Sequence, residues 1–156
     1  QIYWMPWRGG EFIGCQCVLV YAHREDSEEH EAYLEWLKRA IASEEGIAVS
    51  ELVLSGFLRI VTHSKIFQPP SPLDQALSFV NDVRDHSQVT VLTPGPRHWG
   101  IFLRLCKDGE ARGNLVPDAY HAALAIEFGC AWITTDRDFA RFPGLKWQHP
   151  LRSDKS

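Results

Sequence analysis

Four carboxylates in this 156-residue chain stand where an apolar run gives way to polar sequence. Glu51 follows "IAVS" (47–50), Asp136 and Asp138 follow "AWITT" (131–135), and Asp118 opens the helical pattern "PDAYHAALAIEFG". Singly, each has an ordinary role, as a first-turn acid that favours the helix dipole or as a turn residue. Jointly they suggest more. Acids that meet on one rim repel each other unless a cation offsets them, and Mg²⁺ or Mn²⁺ is the usual choice. Such ions take oxygen ligands and leave room for water and a substrate phosphate.

A second candidate lies in "GCQCVLVYAHRED" (14–26), where Cys15 and Cys17 form a C-x-C pair. The spacing is too short for an ordinary disulfide, and two thiolates suit zinc or copper rather than magnesium. Only His23 and His30 are near enough in sequence to complete such a site, and neither falls at zinc-finger spacing. No G-x-S-x-G elbow or phosphate-binding glycine loop competes with the acids.

The elements that must position these residues alternate. Val18-Leu19-Val20-Tyr21 reads as a buried strand, and 27–45 as a helix with Tyr33, Leu34, Leu37 and Ile41 on one face and Ser27 as its cap. A strand at 46–50 precedes a helix at 51–63. A capping pattern at Ser71, Pro72 and Asp74 opens the next helix. "VTVLT" (89–93) is a third strand, and the helix after it can end at Gly109. Pro117 and Gly129 bracket another helix, and 131–135 is a fourth strand. This alternation predicts an α/β fold of three layers, with helices flanking a parallel sheet whose carboxyl ends bind ligand.

Composition sets the outer bounds. Hydrophobic residues make up 45% and charged residues 23%, as in an ordinary single globular domain. No apolar run reaches the roughly 18 residues of a membrane span. The opening "QIYWMPWRGGEF" lacks the pattern of a signal peptide, so the expected location is the cytoplasm, with no membrane partner. A net charge of −4 argues against coating nucleic acid by bulk electrostatics, though not against meeting a phosphodiester through metal ions.

"NLVPDAYHAALAIEFGCAWITTDRDFARFPGLKW" resembles the C-terminal half of a PIN domain, in particular the VapC toxins of bacterial toxin–antitoxin pairs. "SELVLSGFLRIVTHSKIF" and "PGPRHW" resemble a subgroup common in mycobacteria. The resemblance runs from about Val18 to about Leu151. It implies a PIN-like α/β fold and a Mg²⁺-dependent (or Mn²⁺-dependent) endoribonuclease. The partners it implies are an RNA substrate and a small VapB-like antitoxin, and it leaves room for a homodimer. The matching acids are Asp118 and Asp136 as metal ligands, with Asp138 beside them. Many members place the second acid about six residues past the strand, where this chain has Gly56; the subgroup places it at the helix start, here Glu51. An apolar antitoxin groove is expected near 30–41 and 50–61.

The same resemblance exposes a departure. The family begins with a strand ending in D-x-N, and counting back from "VLVYAH" puts Cys15 at the aspartate and Cys17 at the asparagine. On that alignment Ile13–Cys17 is the strand, Leu19–His23 turn away from it, and Cys15 lies close to Asp118 and Asp136. Codons for Gly-Cys-Gln-Cys, read one base later, can spell Asp-Val-Asn-Val. The simplest reading is a frame shift over residues 1–17, natural or artefactual, restored just before Val18. The expected organisation is an irregular segment at 1–14, the PIN-like domain at 15–151 and a tail at 152–156. A chain with a true Cys15 is expected to be a weakened nuclease that still binds RNA or antitoxin.

Overall fold

Three residues form the centre of the sheet. The computed structural model describes residues 11–13 and 16–152. In it, β1 (Glu11–Ile13) pairs in parallel with β2 (Ile47–Val49) on one side and β4 (Ala131–Ile133) on the other. β3 (Val89–Val91) lies outside β2 and β5 (Trp147–Gln148) outside β4, so the order is β3-β2-β1-β4-β5, parallel throughout. The chain therefore adds strands in one direction from β1 to β3, then returns to the other side of β1 for β4 and β5. The reversal falls between β1 and β4, the point at which open α/β sheets form a crevice at their carboxyl ends.

Two readings of the N-terminal region are corrected. Val18–Tyr21 is not a strand, because α1 spans Gln16–His23. Val18, Leu19, Val20 and Ala22 are all buried, since α1 packs against α2 (His30–Ala42) and α3 (Glu51–Val61). A helix enclosed on several sides shows the same unbroken apolar run as a central strand, so periodicity alone does not separate them. The strand expected at Ile13–Cys17 is likewise shifted: β1 ends at Ile13, within the segment expected to be irregular, and Gln16 and Cys17 are already helical.

Local signals succeed unevenly elsewhere. Ser50 caps α3, its hydroxyl accepting the Val53 N–H at 3.2 Å. Gly129, at φ +68°, ends α6 (Leu115–Phe128) in the left-handed conformation that glycine adopts without steric penalty. Pro117 falls inside the first turn of α6 rather than at its first residue, and a missing N–H is still harmless there. Ser27 and Ser71 do not cap. Ser27 donates to the Tyr21 and Arg24 carbonyls, and Ser71 Oγ lies 3.0 Å from His23 Nε2. α4 (Leu73–Arg84) begins after Pro72 with no side-chain cap.

The helices form two groups around the sheet. α1 packs on both α2 and α3, and α3 on α4, while α5 (His98–Asp108) packs on α6. α6 is buried along most of its length, and Ala119, Ala122, Ala123 and Ala125 give it a slim surface that neighbours approach closely. The α2 face expected to line a groove is turned inward, with Tyr33, Trp36, Leu37 and Ala40 buried. Among the described residues, the large exposed apolar side chains are Leu52 on α3, within the expected 50–61, and otherwise Leu73 and Leu77 on α4, Trp99 and Leu103 on α5, Ile66 and Val116. No described helix is long and apolar enough to cross a membrane.

One buried acid belongs to the scaffold. Glu127 on α6 accepts the Gly95 N–H at 2.8 Å and the Arg97 N–H at 3.0 Å, fixing the turn before α5. Glu127→Ala leaves both donors without their acceptor, and the expected loss is about 2–3 kcal/mol. Urea denaturation checks it.

Candidate functional site

Two chain segments bring acids to the reversal point. α6 runs back toward the start of β4, so its first turn, carrying Asp118, opens at the carboxyl edge of the sheet. Beyond β4 the chain is held tightly. Thr134 is buried, its N–H donating to the Gln148 carbonyl and its Oγ1 accepting the Asp136 N–H at 3.0 Å. Asp136 then caps a 3₁₀ turn (Arg137–Arg141), its Oδ1 accepting the Asp138 N–H at 2.9 Å. Phe139 and Phe142, both buried, pin that turn to the core.

Asp118 carries the effect of this placement. The Asp118 carboxyl is pushed up to about 6, first by its partial burial and then by the negative charges of Asp136 and Asp138, with Arg141 opposing. Folding thus brings together charges that would separate in water. The arrangement suits a site whose working state includes a cation.

The donor chemistry fits a hard divalent ion. Asp118, Asp136 and Asp138 offer carboxylate oxygens. Among the described residues no three His, Cys, Asp or Glu side chains come together as a group that could hold a metal ion. Mg²⁺ needs no such group, being held through one or two carboxylates with water and phosphate completing its shell. The zinc reading has less support. His23 Nε2 lies 3.0 Å from Ser71 Oγ, and His30 Nδ1 lies 2.9 Å from the Tyr21 carbonyl. Cys17 sits on α1 and Cys15 lies outside the described residues.

Glu51 is differently engaged. It occupies the first turn of α3, at the carboxyl end of β2, but its Oε2 accepts from Arg84 Nη2 at 2.8 Å and Nε at 3.0 Å. It is absent from the charges acting on Asp118. Sequence reasoning missed Thr134 and Arg141. The signal for Thr134 was present, since a Thr two residues before an Asp in a T-x-D-x-D run can fold onto the backbone as this one does.

The raised Asp118 pKa sets a sign for stability. The folded state binds a proton more readily than the unfolded chain, so metal-free stability falls as pH rises from about 4 to about 6. Asp118→Asn removes the charge. In EDTA it is expected to melt higher than the parent at pH 7 and level with it below about pH 4. A thermal-melt series across that range checks it.

The comparisons agree with this geometry. Residues 16–145 match the family described as PIN domain. VapC ribonuclease Mb2897 of Mycobacterium bovis is 41% identical over 134 residues, covering 86% of this chain and 91% of the relative. Ribonuclease VapC25 of Mycobacterium tuberculosis is 39% identical over 133 residues, covering 85% and 94%. Two solved structures share the fold. VapBC2 from Rickettsia felis, bound to a promoter DNA fragment, has a TM-score of 0.62 at 20% identity, covering 88% of this chain and 97% of that one. VapBC-1 from nontypeable Haemophilus influenzae has a TM-score of 0.63 at 16% identity, covering 90% and 98%. With five parallel strands, acids at the strand-order reversal and this likeness over most of its length, the chain belongs to the PIN-domain family, in its VapC branch.

Proposed function

We propose that this chain is the toxin of a toxin–antitoxin pair and cleaves RNA by Mg²⁺-dependent hydrolysis of phosphodiester bonds in the cytoplasm. The observation that carries the reading is the placement of half-buried Asp118, at the first turn of α6, with Asp136 and Asp138, in the turn after β4, near enough for their charges to act on it. Relatives named as ribonucleases supply the class of reaction.

Asp118 and Asp136 would hold the ion. Bound there, Mg²⁺ supplies Lewis acidity, activating water and offsetting charge on the phosphoryl oxygens. The protein's own work is positional. Thr134 fixes the Asp136 backbone and the Asp138 N–H fixes its carboxylate before substrate arrives, so little reorganisation is left for the reaction. Asp138, exposed beside them, adds negative charge that favours cation capture. Glu51 acts at the rim, its carboxylate oriented by Arg84.

The test is incubation of single-stranded RNA with purified protein in Mg²⁺ or in EDTA. Cleavage should require the metal. Asp118→Asn should fall to background while keeping its fold, and Glu51→Gln should lose much less. An Asp118→Asn variant that cuts like the parent overturns the assignment.

A second reading rests on Cys15, which stands where the family's first acid is expected. In it the chain binds RNA or antitoxin and cleaves weakly. Cys15→Asp separates the two. A rise in Mg²⁺-dependent rate of at least about tenfold indicates that a ligand had been missing, and no change assigns the parent's full activity to the acids already present. The partner in either reading is a small VapB-like antitoxin, in keeping with the VapBC complexes that share the fold.

A further inference from the structure

Arg141 stands beside the acidic edge with no part in holding a metal. It closes the 3₁₀ turn, is exposed, and donates from Nη1 to the Gly109 carbonyl at 3.1 Å. That anchor is rigid. Gly109 ends α5, and a Cβ there would lie 2.9 Å from the Leu105 carbonyl oxygen and 3.0 Å from the Phe142 ring. The turn is equally fixed, since buried Phe139 and Phe142 flank Arg141 on either side.

Arg141 lies in the turn that Asp136 caps, yet its guanidinium forms no ion pair with Asp118, Asp136 or Asp138 among the described residues. The ionic arginines Arg24 and Arg84 are different, each with a carboxylate at 2.6–2.8 Å. A cation tied to backbone through one N–H, and not consumed by the acids beside it, keeps its other donors for an oxyanion such as a phosphate. RNA brings phosphates to an edge whose three carboxylates repel them, so the edge needs a fixed positive group outside the metal position.

We infer that Arg141 is the phosphate-positioning residue of this edge, its guanidinium taking the non-bridging oxygens of an RNA backbone phosphate next to the carboxylates. The inference rests on the ribonuclease reading and adds how the substrate is held. A purely structural role would make Arg141 only a tie between α5 and the 3₁₀ turn. The two roles differ in salt dependence, because a lost phosphate contact lowers counterion release and a lost tie does not.

The experiment measures binding of a fluorescent single-stranded RNA of mixed sequence in EDTA over a salt series, alongside cleavage in Mg²⁺. Arg141→Gln is expected to weaken binding about tenfold at low salt and to flatten the slope of log K against log salt by about 0.7, one phosphate's worth for a single strand. It should raise KM for cleavage with kcat little changed. If Arg141→Gln melts early, Arg141→Lys decides: it keeps the charge and must restore the slope, and failure to do so overturns the proposal. A parent that cleaves, with Arg141→Gln showing the parent's affinity and slope, sinks the role of Arg141 alone. A parent that binds without cleaving sinks the ribonuclease reading while the slope still decides Arg141. A parent that neither binds nor cleaves RNA overturns both, and where a parent cleaves without binding in EDTA an unchanged KM in Arg141→Gln overturns the role of Arg141.

Discussion

The partial burial of Asp118 beside two further aspartates is the constraint around which this structure is arranged. Asp118 is carried by a helix and Asp136 and Asp138 by the turn after a strand, and only the packing of α6 beside β4 makes them neighbours. Bringing like charges into a half-buried position costs stability, visible in the Asp118 carboxyl pushed up to about 6. The scaffold must over-determine that geometry. It does so with an alanine-rich α6 that permits close packing, a buried Trp132 at the centre of β4, and a Thr134–Asp136–Asp138 run bonded to its own backbone.

The opposite half of the domain is stiffened by α1. Its apolar side chains are buried against α2 and α3, and its C-terminal residues tie down the segment that follows α3. His23 bonds to Ser71 and packs against the Phe57 and Phe79 rings. Arg24 lies 4.2 Å over the Phe67 ring while its guanidinium is paired with Asp26. These contacts secure a proline-rich stretch with no regular structure of its own. Burial holds the His23 pKa below the usual imidazole value, so it stays neutral at physiological pH and fits this apolar setting.

Charge is distributed with the same economy. The chain is acidic overall, yet its cations sit at defined points. Arg84 orients Glu51, Arg97 bonds to the Glu127 carbonyl at the C-terminal end of α6, and Arg141 ties the acidic turn to α5. The buried Glu127 shows that an acid on α6 is not by that fact part of a site. Its carboxylate is bonded to two backbone N–H groups of one turn, whereas Asp118, one helix end away, faces other carboxylates.

The sequence by itself determined the alternation of helices and strands, the stop at Gly129 and the nomination of Asp118, Asp136 and Asp138, because these depend on local spacing and on residues with restricted backbone preferences. It could not decide whether Val18–Tyr21 is strand or helix. Burial on several sides erases periodicity, and only packing against α2 and α3 selects the helix. β5 was equally invisible: two residues carry no pattern, and Trp147–Gln148 becomes a strand only because β4 offers a free edge. Ser27 and Ser71 had the composition of caps but found better partners across the fold. Tertiary structure alone separated the roles of chemically identical side chains. Glu51 lies against Arg84, Glu127 under a turn and Asp118 among like charges, since the field at a carboxylate is set by neighbours distant in the chain.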